Sequence, residues 1–152
     1  MRHRKDALKT ALLALLEGQL ATARAAHAAA AEGAFHEEAK PENDKDTRGL
    51  EQSYLARGQA ARVAELEHAI VTVTALTTAT STRVALGALV TIDEDGNERT
   101  LYIAPAGGGL SLADGAVTVI TPASPIGRAL LGKVVDDDAE VGKRTLSITA
   151  IA

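Results

Sequence analysis

The sequence predicts an α+β protein: an amino-terminal antiparallel helical hairpin, a coiled coil over residues 1–78, then a carboxy-terminal antiparallel β domain with one short helix over residues 79–152. Three observations lead there. Leu13, Leu16, Leu20, Ala23, His27, Ala30 and Ala34 alternate spacings of three and four, the seam of a helix packed on another helix. Pro41 breaks that pattern, and Val63, Leu66, Ile70 and Val73 resume it. Near Thr77 to Ser81 the alanine-rich sequence gives way to short β-branched runs separated by Gly, Asp and Pro.

The first helix is expected from about Lys5 to Ala39, ending before Pro41 because proline disfavours helix at the residue preceding it. The second starts near Asp46 or Thr47, either of which suits an N-cap. At about 1.5 Å per residue, arms of thirty-odd residues make a rod of roughly 50 Å, and alanine in the seam keeps it slender. In the second half, Leu86 to Ile92 and Arg99 to Ile103 read as strands joined at the turn Asp93-Glu94-Asp95-Gly96-Asn97. Ala116 to Thr121 is a further strand. Ser124 as N-cap, Pro125 at the first helical position and Gly132 past the end bracket a helix over Ile126 to Leu131. In that helix Ile126, Ala129, Leu130 and Leu131 are expected to pack on the sheet. Lys133 to Val135 and Arg144 to Ile151 complete it.

Composition removes several functions. With 152 residues the chain suits one ordinary domain or two small ones and not a large multidomain enzyme. Lys and Arg total 16 against 20 Asp and Glu, a net charge of −4, which argues against autonomous DNA binding. The lack of cysteine removes disulfides, thiolate chemistry and Cys-type zinc sites, and fits a reducing compartment. No apolar run reaches the roughly 18 residues a membrane span requires, so a soluble, cytoplasmic protein is expected.

Glu37, Glu38, Glu42, Asp44 and Asp46 fall within ten residues of the connection between the helices, offset by Lys40 and Lys45. Carboxylates are hard oxygen ligands suited to Mg²⁺, which keeps water or phosphate oxygens in its remaining positions. Exposed turns attract the same residue types for conformational reasons, and spacing leaves both readings open. Gly107-Gly108-Gly109 lacks a following Gly-Lys-Ser/Thr and reads as a hairpin loop. Asp136-Asp137-Asp138 reads as a solvated turn. His3, His27, His36 and His68 lack zinc spacing, and no Gly-x-Ser-x-Gly elbow supports hydrolysis. Arg24, Lys40, Arg48, Arg57 and Arg62 form either a cationic stripe or, with interleaved Glu, surface pairs.

The segment Ser124-Pro-Ile-Gly-Arg-Ala-Leu-Leu-Gly-Lys133 resembles the signature of the GreA/GreB family of bacterial transcript-cleavage factors. The acidic turn and Glu51-Gln-Ser-Tyr-Leu-Ala-Arg57 are similar to that family's hairpin tip and the start of its second helix, in the same order. The resemblance implies an FKBP-like carboxy-terminal domain and a finger that enters the RNA polymerase secondary channel as a monomeric accessory factor, not an enzyme. It implies tip carboxylates that help hold the polymerase's Mg²⁺ and orient water for hydrolysis of backtracked RNA, so the nascent RNA 3′ end is met only indirectly. On this reading Asp44 and Asp46, with Glu42 next, contact metal or water in the complex, the free protein binds no cofactor, and Arg128, Arg48 and Arg57 contact the partner. In Glu42-Asn43-Asp44-Lys45-Asp46 the carboxylates stand at i and i+2, whereas the family's stand three apart; a non-cleaving channel regulator or inhibitor is therefore the alternative, and a structural coiled-coil protein a third. Isomerase activity is disfavoured because Tyr102 is the lone aromatic of this half.

Overall fold

The computed structural model describes residues 2–38 and 47–152. Two long helices, α1 (Arg2–Glu38) and α2 (Thr47–Thr74), lead into the strands β1 (Leu89–Glu94), β2 (Asn97–Ile103), β3 (Ser111–Leu112) and β4 (Val117–Ile120). A short helix α3 (Pro125–Leu130) follows, then β5 (Asp138–Val141) and β6 (Arg144–Ile151). The chain is therefore α+β, as its periodicity requires. Two compact units form: one holds Leu15–Ile70, the other Met1–Ala14 together with Val71–Ala152. The change in composition near residues 77–81 falls within the second of these.

In the helical unit, Leu16, Leu20, Ala23 and Ala30 of α1 and Leu66 and Ala69 of α2 are buried, a seam shared equally between leucine and alanine. The seam differs from expectation by one position at its start: Leu12 is fully buried and Leu13 is half-buried. Spacings of four from Leu8 through Leu12 to Leu16 keep the stripe on one side of α1 for two turns.

The other unit is built on one six-stranded sheet of order β3-β4-β2-β1-β6-β5. It departs from the all-antiparallel expectation at one place, where β2 and β4 run parallel with Leu101 opposite Thr118. The chain between them therefore crosses over, and Gly107 to Gly109 lie in that crossover instead of a hairpin turn. The β1–β2 hairpin turns at Asp95 (φ 53°) and Gly96 (φ 86°), the pair of left-handed positions that a two-residue turn matched to strand twist demands. β6 spans the expected residues, whereas Lys133 to Val135 contributes only a single bridge, Val134 to Arg83. Two strands are additional to the sequence reading. One is the short β3; the other, β5, begins at Asp138, so the acidic run is only partly turn, and Asp138 Oδ1 accepts from Ser147 Oγ at 2.7 Å.

Alternation along the strands divides the side chains between two faces. Val90, Ile92, Leu101, Ile103, Leu146 and Ile148 form the core with Leu130 of α3, and Ile126 and Ala129 pack against it. On the other parity Leu89, Tyr102, Val117 and Val119 are buried as well. The base of α1 accounts for part of that burial, because a Cβ on Gly107 would lie 2.7 Å from Leu12 Cδ1. α3 forms where its caps demand. Ser124 Oγ accepts from the Gly127 amide at 3.0 Å and donates to the Thr121 carbonyl at 2.7 Å, and Pro125 presets the first turn. Leu131 is the C-cap and is 47% exposed, so it does not pack on the sheet as expected.

Lys5 is fully buried on the stripe shared with Leu8 and Leu12. Its ammonium donates to the carbonyls of Ala79 (2.6 Å) and Ala152 (3.0 Å), and Lys9, one turn on, donates to Leu76 (2.8 Å). Loss of hydration holds the Lys5 pKa below the usual lysine range.

A Cβ at Gly127 would stand 1.9 Å from the Thr121 carbonyl oxygen, so Gly127→Ala should cost about 2 kcal/mol or more in urea unfolding. Because the native state depresses the Lys5 pKa, the unfolded chain binds more protons between that lowered value and the ordinary one near 10.4. Stability of the native chain relative to Lys5→Met should therefore rise with pH as that window is approached from neutrality; a difference that stays flat or falls would contradict the assignment.

Candidate functional site

The sequence placed its candidate chemistry at the connection between α1 and α2. Glu42, Asp44 and Asp46 lie outside the described residues, as does the side chain of Arg48, which sits in the first turn of α2. What is described begins one turn further along. Leu50, Tyr54 and Arg57 fall at i, i+4 and i+7, within one narrow stripe of the helix. Tyr54 is 60% and Leu50 56% exposed, and the Arg57 guanidinium lies over the Tyr54 ring, 5.5 Å from its centroid.

Arg24 and Arg62 are engaged in ordinary surface pairing. Arg24 bonds Glu67 at 3.1 Å across the hairpin, and Arg62 bonds Glu65 at 3.0 Å and Gln19 at 3.3 Å. His27 Nδ1 donates to the Ala56 carbonyl at 3.0 Å, so that nitrogen carries the proton. Its role is to tie the two helices. Among the described residues, no group of three or more His, Asp and Glu is arranged to hold a metal ion.

On the β unit Arg128 is exposed in the last turn of α3, as its candidacy as a contact residue needs. Its surroundings were not read from the sequence. Leu86, Leu131, Val134 and Val135 are all exposed large aliphatics. Backbone bonds between Val84 and both Gly132 and Lys133, with the Arg83–Val134 bridge, draw these two chain segments together. Arg83 adds a bond from its guanidinium to the Gly132 carbonyl at 2.6 Å. The signal for this face is available only in hindsight: Leu86 precedes Gly87, whose φ of 88° and tight approach to the Thr77 carbonyl (2.6 Å from a built Cβ) delay the strand until Leu89. Further along the sheet Arg144 holds Glu94 through two guanidinium nitrogens, and that hydrogen bond lowers the Glu94 pKa. No described helix is long and apolar enough to cross a membrane.

Residues 79–152 match the family described as "Transcription elongation factor, GreA/GreB, C-term", the stretch that includes the resemblance carried by Ser124 to Lys133. Similar solved structures include GreA factor homolog 1 (Gfh1) of Thermus thermophilus, 23% identical, covering 92% of this chain and 94% of that one with a TM-score of 0.40. Thermus aquaticus Gfh1 is likewise 23% identical, covering 93% of this chain and 94% of that one with a TM-score of 0.39. No curated protein matches at a significant level.

Because Tyr54 makes its contacts at the surface, Tyr54→Ala should change unfolding free energy by less than about 1 kcal/mol, with thermal denaturation as the check.

Proposed function

We propose that this protein is an accessory factor of bacterial RNA polymerase that inserts its hairpin into the secondary channel and stimulates Mg²⁺-dependent cleavage of backtracked RNA. The observation that carries the reading is the union, in one chain, of a region matching the GreA/GreB carboxy-terminal family with paired helices, the first ending in Glu37 and Glu38 and followed by a connection that holds Glu42, Asp44 and Asp46. Catalysis is then shared. Polymerase supplies the principal metal site and grips the RNA, while Asp44 and Asp46, with Glu42 adjacent, complete the coordination of a second Mg²⁺ or orient the attacking water. Bound there, Mg²⁺ would supply an activated water and charge stabilisation at the phosphodiester; the hairpin's own part is to deliver oxygen ligands at the required depth. Helices of 37 and 28 residues suit that delivery, since each residue advances the helix about 1.5 Å. The β domain docks outside, with exposed Arg128 among its contacts. Such a factor works in the cytoplasm and has no activity without its polymerase.

A second reading, a non-cleaving channel regulator, is favoured by one specific feature. Carboxylates in Glu42-Asn43-Asp44-Lys45-Asp46 alternate at i and i+2 and include none three apart, so the oxygens reach the metal in a different arrangement and can occupy it without positioning water.

Stalled elongation complexes separate the two. Addition of the protein should release short RNA fragments carrying the original 3′ ends, and the Asp44→Ala, Asp46→Ala double variant should abolish release while co-eluting with polymerase as the native chain does. Reduced synthesis with no fragments would support the regulator instead. Unchanged cleavage by the double variant would remove both residues from the mechanism.

A further inference from the structure

We infer that Leu86, Leu131, Val134 and Val135 form a self-association surface on the β unit, whose occupant is the same surface of a second copy of this chain related by a two-fold axis. Among the described residues 79–152, these four are the large aliphatics left exposed. Backbone bonds gather them: the Gly132 amide donates to the Val84 carbonyl and the Val84 amide to the Lys133 carbonyl, both at 2.8 Å, and Val134 bridges to Arg83. The Arg83 guanidinium donates to the Gly132 carbonyl at 2.6 Å, and Asp137 Oδ2 accepts from the Val134 amide at 2.9 Å. The core does not need these side chains, since Leu130, Ile126 and Ala129 already pack between α3 and the sheet. A patch held this firmly loses little conformational freedom on contact, and covering it gains about 25 cal/mol for each Å² of apolar surface removed from water.

Charges around the patch select the partner. Along the chain Arg128 and Lys133 precede the two valines and Asp136 follows them, so the sign turns from positive to negative across this segment. Arg128 and Asp136 are exposed and Lys133 is half-buried, and among the described residues none of the three makes an ion pair. A partner of one uniform charge meets repulsion at one end of the segment. In a two-fold contact residue i meets j and j meets i, so a second copy turned about an axis near the valines sets Lys133 and Arg128 of each chain toward Asp136 of the other and matches both ends at once. In the proposed function Arg128 also faces polymerase, so the pair withholds it: the paired form is the stored one, and the monomer implied by the family resemblance is the form that polymerase captures. This consequence rests on that reading; the pairing itself does not.

Sedimentation equilibrium of the full-length protein, from about 1 μM to about 500 μM, tests the pairing. The mean mass should climb from that of one chain, 15.7 kDa, toward twice it and level off there. Leu131→Asp should weaken association about tenfold or more with the melting temperature kept, because Leu131 is 47% exposed. Lys133→Glu should weaken it about tenfold at low salt and Asp136→Asn by less, asparagine being tolerated at the φ of 74° found there. An equimolar mixture of those two variants should associate more strongly than either alone, since the mixed pair sets one Lys133 opposite Asp136 and no like charges together. A single-chain mass across the range, or association unmoved by Leu131→Asp, would overturn the surface; a mixture no better than its components would overturn the two-fold arrangement. Added polymerase should take up single chains and dissolve the pair. Polymerase that retains the pair would overturn the storage role, and a native chain that does not co-elute with polymerase would overturn the proposed function while the mass measurement still decides the pairing.

Discussion

Burial of the sheet on both faces is the constraint on which the β unit depends. One face is covered by α3, and Leu12 at the base of α1 approaches the crossover loop on the other. That second layer creates a difficulty, because the chain leaving α2 and the end of β6 carry carbonyls beneath apolar helix, where an unpaired acceptor costs about 1–3 kcal/mol. Lys9 and Lys5 meet it by donating to Leu76 and Ala79, and Lys5 adds a second bond to Ala152, whose oxygen also accepts from the Leu89 amide. The price is a desolvated ammonium at Lys5, held by carbonyl dipoles. Tyr102 shares the buried layer: its hydroxyl makes no hydrogen bond, and burial, with the Asp6 carboxylate second, pushes its pKa up.

α3 shows the same economy of backbone space. Ser124, Pro125 and Gly127 each answer a separate geometric demand: an oxygen for an orphan amide, a preset φ, and a position with no room for a Cβ beside Thr121. These demands are met by packing and backbone geometry alone, so the segment speaks to the fold more directly than to an activity. Arg128 is the member of that segment turned to solvent with charge, and it stands apart from the packing logic of its neighbours.

Much of this architecture was legible in the sequence because it is written in local chemistry. Asp95-Gly96 announced the first hairpin, Ser124-Pro125 the short helix, and the three-four spacing from Leu16 to Ala30 the hairpin seam. Long-range pairing was not legible. The parallel partnership of β2 and β4 depends on a crossover through Gly107 to Gly109 that looks like an ordinary tight turn, and β3 at two residues carries no period at all. Lys5 was overlooked although it sits on the stripe of Leu8 and Leu12; a lone cation on an apolar face is the signal of a buried donor. The exposed aliphatics Leu86, Leu131, Val134 and Val135 were read as strand or core because hydrophobicity alone does not say which side of a turn a residue occupies. Of the site, the side-chain pairing of Arg24 and Arg62 was anticipated, the Tyr54–Arg57 contact was not, and Glu42, Asp44 and Asp46 lie outside the described residues.

In the proposed function the acidic connection reaches the catalytic metal of RNA polymerase. Because the chain has no cysteine, Lys45→Cys creates a unique thiol beside Asp44 and Asp46, and an iron chelate attached there generates hydroxyl radicals that cut only nearby backbone. Cuts are expected in the polymerase segments that surround its active-site Mg²⁺. Cuts restricted to the outer surface of the enzyme, with the protein bound, would contradict it.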